Sequence, residues 1–337
     1  MLAKGLGLLR LGLVALDGTK MGAHAGYGSF KKVKEWREEL REVREKVREI
    51  LEEAEAVDTA DDERFGSESR GDELPKELEG AKELVRKIKE LVRKMEEEGE
   101  DEDVRVSITD SDARFMHRMN GSLPAYNAQA AVNEDQLILY ADVTSEPVDV
   151  NQLLPALDGI KEVTGEMPER AAADAGYGGG KNLEGMEGRG VDGYIPETDE
   201  GTIGKEKRRN PELYGKEDFK YDSEGDCYIY PAGRVLSPRS RSRIKTKYSD
   251  REVTIYRAER GVCLDCKQKA KCTTTKNKVG RAVSRDRYEE QRSRMREKLK
   301  TEAGREVYAK RKCLVEPVFG QIRLVERFVQ FLLRGLD

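Results

Sequence analysis

The sequence predicts a mixed α/β fold: a sheet flanked by helices, with a helical-hairpin insertion and a second, basic insertion that contains β-strands. Three observations carry this. Short apolar runs end on acidic residues, LGLVAL on Asp17 and Ala171-Ala172-Ala173 on Asp174, the way an α/β sheet presents carboxylates at its working edge. The apolar period is helical from residue 31 to 95, alternates from 104 to 143, and is helical again before Ala171. The charge is also segregated: residues 234–312 hold 26 Lys/Arg against 10 Asp/Glu, an excess of 26 − 10 = 16, while the whole chain carries −4.

Residues 6–16 read as a central strand, apolar on both faces. Residues 31–56 read as a long amphipathic helix, with Val33, Trp36, Leu40, Val43, Val47, Ile50 and Ala54 spaced by three and four. A Gly- and Asp-rich connection ends at Leu74-Pro75, and Leu78, Ala81, Leu84 or Val85, Ile88, Leu91 or Val92, and Met95 mark a second helix that can pair with the first as an antiparallel hairpin. Its surface is that of a solvated strut with one apolar seam, or of an arm that grips DNA or dimerises. Val104–Ile108 is a strand, and Tyr126–Val132 with Leu137–Val143 form a β-hairpin across the turn residues Asn133–Asp135. Val150–Val163 is a crossover helix leading to the Ala171 strand. From Gly185 to about Arg260, short strands (Gly193–Pro196, Tyr228–Pro231, Val253–Arg257) lie in a basic insertion with little core of its own. Tyr288–Leu324 is helical and carries Glu316, with Pro317 expected to kink or restart the helix. These elements divide the chain into a first strand and acid (1–30), the charged hairpin (31–100), the remaining sheet (101–200), the basic insertion (201–290) and a C-terminal helix (291–337).

Composition narrows the functional classes. With 38% charged and 6% aromatic residues, much of the chain must be solvated. A local excess of 16 positive charges is the footprint of a polyanion partner, foremost nucleic acid. Five cysteines, three of them between Cys263 and Cys272, suit a metal knuckle in a reducing compartment better than a secreted disulfide framework. The opening MLAKGLGLLRLGLVAL is broken by Lys4 and Arg10 and lacks a small-residue cleavage site, so it is not read as a signal peptide. No segment is long enough to cross a membrane, and a cytoplasmic protein is expected.

Asp17, Asp174 and Glu316 are each embedded in apolar sequence. Three carboxylates without a histidine pair suit hard, oxygen-seeking ions such as Mg²⁺. Two such ions can activate water or a 3′-hydroxyl and stabilise the leaving oxygen of a phosphodiester. An aspartate at a strand end also serves as a turn former, and position alone does not separate the roles. Tyr126, Asn127 and Gln129 are candidates to line the groove, and Lys20 is a candidate phosphate contact. GYGGGKN falls short of a phosphate-binding loop, because Ala175 stands where its first glycine belongs and Asn182 replaces the Ser/Thr that would hold Mg²⁺. His24 and His117, the two histidines, have no partner nearby in sequence.

LDGTK, YNAQAAV, ADAGYG and VEPVFGQIR, in that order, resemble the insertion-sequence DDE transposases, in the group whose insertion before the last acid carries a cysteine knuckle. The resemblance runs from about residue 11 to the C-terminus. It implies a ribonuclease H-like core and two-metal (Mg²⁺ or Mn²⁺) hydrolysis and strand transfer at transposon ends. Catalytic and metal-binding roles fall to Asp17, Asp174 and Glu316. The partners it implies are the transposon-end and target DNA, with a homodimer on DNA, in a prokaryotic nucleoid setting. Arg323, seven positions after Glu316, matches a basic residue of the final helix, and Lys312 is a further DNA contact. Tyr308 with Arg311 or Lys312 sit one residue off the usual spacing. Only sixteen residues precede Asp17, so the chain reads as a copy truncated at both ends, and the rival reading is a catalytically inactive DNA-binding remnant. Cys263, Cys266 and Cys272 supply three soft ligands toward a structural zinc site that needs four. The family's fourth position is Tyr230 here, and Cys227, three residues upstream, is the candidate substitute. Cys313 reads as a small core residue.

Overall fold

A computed structural model describes residues 9–65, 76–118, 121–197, 213–246, 249–272 and 280–336. The Leu74-Pro75 connection and parts of the basic insertion lie outside them. The chain is mixed α/β and divides into two compact units. The first comprises Met1–Gly18, Gln129–Asp142 and Val148–Gln321, and the second Thr19–Ala128, Val143–Pro147 and Ile322–Asp337.

The principal sheet has the order β4-β5-β1-β7-β8 with β6 beside β5. Its strands are β1 (Leu13–Gly22), β4 (Arg114–Arg118), β5 (Gly121–Asn133), β6 (Ile138–Thr144), β7 (Arg170–Ala172) and β8 (Asp192–Tyr194). Leu13, Val14 and Ala15 have no exposed surface and Leu16 only 2%, as an apolar run must when both faces of its strand are covered. β1 runs parallel to β7 with Val14 opposite Ala171, and β7 parallel to β8. Helix α3 (Leu153–Thr164) makes the crossover into β7, burying Leu153, Ala156, Leu157 and Ile160. The β5–β6 turn is fastened by the Asn133 carboxamide oxygen, which accepts from the Asp135 and Leu137 amides at 3.1 and 2.8 Å. The hairpin, crossover and Ala171 strand thus stand where the periodicity placed them. β1 differs: it starts later than residue 6 and continues past Asp17 to Gly22, so Asp17 lies within a strand instead of ending it.

In the second unit, α1 (Val33–Phe65) and α2 (Lys76–Glu97) form the hairpin, footed on β2 (Phe30–Lys32) antiparallel to β3 (Arg105–Ser107). Val33, Trp36 and Leu40 pack with Ile88, Leu91, Val92, Met95 and Val106, and the Trp36 indole donates to the Val106 carbonyl at 3.0 Å. Val43, Val47, Ile50 and Ala54 are only half-buried, so the seam is tight at its base and open further out.

The basic insertion corrects the expectation of a coreless segment. β9 (Lys220–Asp222), β10 (Cys227–Ile229), β11 (Val235–Thr246), β12 (Ser249–Arg257) and β13 (Ala282–Arg285) form an antiparallel meander. Phe219, Tyr228, Tyr230, Leu236, Tyr256 and Val283 bury a core of their own. Aromatic rings concentrated at a few positions supply enough area for a small core in an otherwise charged stretch.

A one-turn helix α5 (Lys269–Cys272) precedes β13, and α6 (Glu289–Lys300) and α7 (Glu302–Gly320) follow it. The expected continuous helix is interrupted at Thr301, whose extended backbone and hydroxyl, accepting from Gly304 N–H at 3.0 Å, cap α7. Pro317 does not break α7. It leaves the Cys313 carbonyl without its helical donor, and the Gln136 side-chain amide donates there instead at 3.4 Å. Cys313 itself is exposed, not a core residue.

Candidate carboxylate site

Asp17 and Asp174 are brought together by the parallel pairing of β1 and β7. The register opposes Ala15 to Ala172, so each aspartate follows its paired residue by two positions. Asp174 ends the chain's extended run by capping a short 3₁₀ turn, accepting from Gly176 N–H at 2.8 Å. Asp17 accepts from Gly18 N–H at 2.9 Å and from the Arg311 guanidinium at 3.1 Å. Burial pushes the Asp17 carboxyl above the ordinary carboxylate range; Arg311 pulls it down and the Asp174 charge pushes it up again. The two acids therefore share one electrostatic site. Of the two basic candidates on α7, buried Arg311 faces it and Lys312 is exposed. Tyr308 joins them, its ring 5.9 Å from the Arg311 guanidinium, and its phenol is raised by burial with Arg311 opposing.

Glu316 is not gathered in. It lies on the exposed side of α7, five residues beyond Arg311 on a helix whose buried positions are Gly304, Arg311, Leu314, Val315 and Val318. Five residues turn an α-helix by about 140° net, so Arg311 and Glu316 occupy different faces. Among the described residues no group of three His, Cys, Asp or Glu side chains is placed to hold a metal ion. The fit to a hard divalent cation is thus partial. Two carboxylates converge and suit such an ion, but the expected third donor stands apart.

The structure adds residues that periodicity did not single out. Buried Tyr177, on the turn after Asp174, donates to the Gln129 carboxamide oxygen, and Gln129 donates through Nε2 to Asp149 at 2.8 Å. A methyl group on Gly176 would lie 2.9 Å from the Asp174 Oδ1 and 3.4 Å from the Asp149 Oδ2. Asp149 therefore flanks the Asp174 turn, although its place just before a helix in PVDVNQLL reads only as a turn or cap in sequence. Gln129, expected among the groove residues, is buried beside the Asp174 turn. Asn127 and Tyr126 face other partners, the Glu146 carbonyl and Asp110.

The remaining candidates separate. The Lys20 carbonyl accepts from Arg323 at 2.8 Å and from Arg118, so Arg323 is engaged with backbone. Cys263, Cys266 and Cys272 line one small cavity with Tyr230, and burial raises the Cys272 thiol. Cys227 does not join them: the β9–β10 register sets it opposite Asp222, whose carboxylate is 3.9 Å from its sulfur. The proposed four-cysteine zinc set is therefore not assembled among the described residues. The glycine run after Asp174 has a packing role. A Cβ on Gly180 would come 2.4 Å from the Tyr288 ring, and one on Gly179 2.7 Å from Val150.

Residues 229–337 match the family model described as a transposase DDE domain, a stretch that includes the cysteine trio, Arg311, Glu316 and Arg323. This stretch, about a third of the chain, is similar to a transposase DDE domain. Asp17 and Asp174 lie outside the matched residues, and Asp17 is joined to them through the Arg311–Asp17 ion pair. No curated protein and no solved structure matched the chain. Among the described residues no helix is long and apolar enough to span a membrane.

Proposed function

We propose that the chain is the catalytic core of a DNA transposase with a ribonuclease H-like sheet, cutting and joining phosphodiesters at insertion-sequence ends. The observation that carries this is the convergence of Asp17 and Asp174 at paired parallel strands, beside an arginine supplied by the matched transposase domain. Asp17 and Asp174 would hold a divalent cation, Mg²⁺ or Mn²⁺, with Glu316 as the third donor by motif order. When bound, such an ion acidifies water and neutralises charge on a phosphodiester. The protein's own contribution is to place one carboxylate within β1 and the other on the turn that follows β7, and to hold Asp17 against Arg311. Because Glu316 faces outward, its role is the most exposed part of the reading. Glu316→Gln is expected to abolish cleavage as fully as Asp174→Ala, and an active Glu316→Gln enzyme places the third donor elsewhere.

A second reading, a DNA-binding transposase remnant without catalysis, is favoured by the Arg311 pairing of Asp17 and the outward Glu316. Nicking of supercoiled plasmid with Mn²⁺ or Mg²⁺, with Asp174→Ala alongside, decides between them. Nicking that vanishes in the variant supports the catalytic core. Folded, DNA-binding protein that never nicks supports the remnant.

A further inference from the structure

The basic insertion and its neighbours enclose an open groove of about 700 Å³, separate from the aspartates. Six cations line it: Lys181, Arg241, Arg243, Arg251, Arg285 and Arg287. Three acids also line it, Asp250, Glu252 and Asp286, which leaves 6 − 3 = 3 positive charges. Two of those acids are already engaged. Asp250 receives both arms of Arg243, at 2.7 and 2.6 Å, and Asp286 receives Arg251 at 3.3 Å together with Arg292. Among the described residues, no carboxylate stands at ion-pair distance from Lys181 or Arg241. Both are exposed.

The groove's wall is a two-stranded ribbon. β11 pairs with β10 only at Leu236 and Val235, and from Ser240 to Thr246 it is paired to β12 alone. Arg239 to Thr246 are all exposed. In this register Arg241 stands opposite Thr254, Arg243 opposite Glu252 and Lys245 opposite Asp250, and Thr254 stands opposite Arg285 on β13. Alternate residues share a face, so these cations project from one side of the ribbon. Charged side chains also guard an exposed β-edge against pairing with other chains. Edge protection does not require convergence, however, and here cations from α4 (Gly180–Gly188), the ribbon, β13 and the following turn meet around one cleft.

We infer that this groove binds duplex DNA, with the β11–β12 ribbon seated in the major groove and Lys181 and Arg241 on phosphates. The inference rests on the transposase reading for the identity of the polyanion. The major groove of B-DNA admits a two-stranded β-ribbon, whereas the deep, narrow groove of A-form RNA does not. Lys181 lies seven residues after Asp174, so duplex held in the groove adjoins the turn that carries a candidate catalytic acid.

The test is fluorescence anisotropy of the full chain with a labelled random-sequence duplex, without metal, across a salt series. Lys181→Gln with Arg241→Gln removes two phosphate contacts and is expected to weaken binding at low salt. It should also flatten the slope of log K against log salt by about 2. Lys161→Gln, an exposed lysine on α3 outside the groove, should bind as wild type. An RNA duplex of the same sequence should bind more weakly than the DNA. Wild-type affinity and slope in the double variant, or RNA bound as tightly as DNA, overturns the inference. Failure of the two proposals is separable. Carboxylate-dependent nicking with unchanged binding by the groove variant sinks the groove alone. Groove-dependent binding without metal-dependent nicking leaves the groove standing and sinks the catalytic core.

Discussion

At the scale of single residues, the glycine run after Asp174 shows what a loop-like composition serves once its packing partners are known. GYGGGKN has the composition of a phosphate loop, but its glycines answer to packing partners distant in sequence: Asp149 for Gly176, Val150 for Gly179 and Tyr288 for Gly180. Gly180→Ala is expected to destabilise the chain by about 1–3 kcal/mol, since a Cβ 2.4 Å from the Tyr288 ring forces a shift in a packed region. Tyr288→Ala removes the ring but keeps a Cβ 2.6 Å away, so it should relieve part of that penalty, and a urea-denaturation double-mutant cycle reads the coupling. Additive effects in the cycle would refute the packing account. The aspartates were legible because burial of their flanking apolar runs is a local property. Arg311 was legible only as one of two candidates, because choosing between it and Lys312 depends on the rotation of α7 relative to β1. Asp149 was illegible because its significance depends on contact with a turn more than twenty residues away.

At the scale of elements, α6 is held by charge in a place where sequence shows only charge. Glu289 and Asp286 are buried, and Glu289 is paired with Lys216 and with Arg296 at 3.0 Å, while Arg292 joins both acids. Burial pushes Glu289 up, but Lys216 and then Arg296 and Arg292 outweigh it and hold the carboxyl below its ordinary 4.5. Burial holds the Lys216 ammonium below its ordinary 10.5 even though Glu289 faces it. A depressed folded pKa gives stability that is present above the unfolded value and lost as pH falls through the folded one. Thermal melts should therefore show the wild type losing stability below about pH 4.5, and Glu289→Gln losing less over that range. At neutral pH Glu289→Gln should cost about 1–3 kcal/mol, because half-buried Lys216 loses its carboxylate while Arg292 and Arg296 keep Asp286 and Glu197. In the hairpin the decisive anchor is Trp36, and Trp36→Ala should cost about 3–5 kcal/mol from cavity formation and a lost indole hydrogen bond. An equal substitution at half-buried Val47 should cost far less, which urea denaturation measures directly.

At the scale of the whole molecule, Asp17 and α7 belong to one compact unit, so the site is completed only when residues almost three hundred positions apart meet. Sequence periodicity ranks elements along the chain but carries no information on such closures, which explains why the sheet was foreseen and the apartness of Glu316 was not. The closure also makes site occupancy readable as global stability. Two neighbouring aspartates, one pushed up by burial and by the other's charge, oppose the folded state until a cation or Arg311 offsets them. A ligand that binds only the folded chain stabilises it by about 2.7 kcal/mol at a hundredfold excess over its Kd. Mn²⁺ should accordingly raise the melting temperature of the wild type without DNA, and Asp174→Asn should abolish the rise. Arg311→Gln, which frees Asp17 of its competitor, should reach the same rise at lower Mn²⁺. A rise that survives Asp174→Asn would place the ion outside the β1–β7 pair, and no rise in any variant would leave a folded, DNA-binding domain whose carboxylates are structural.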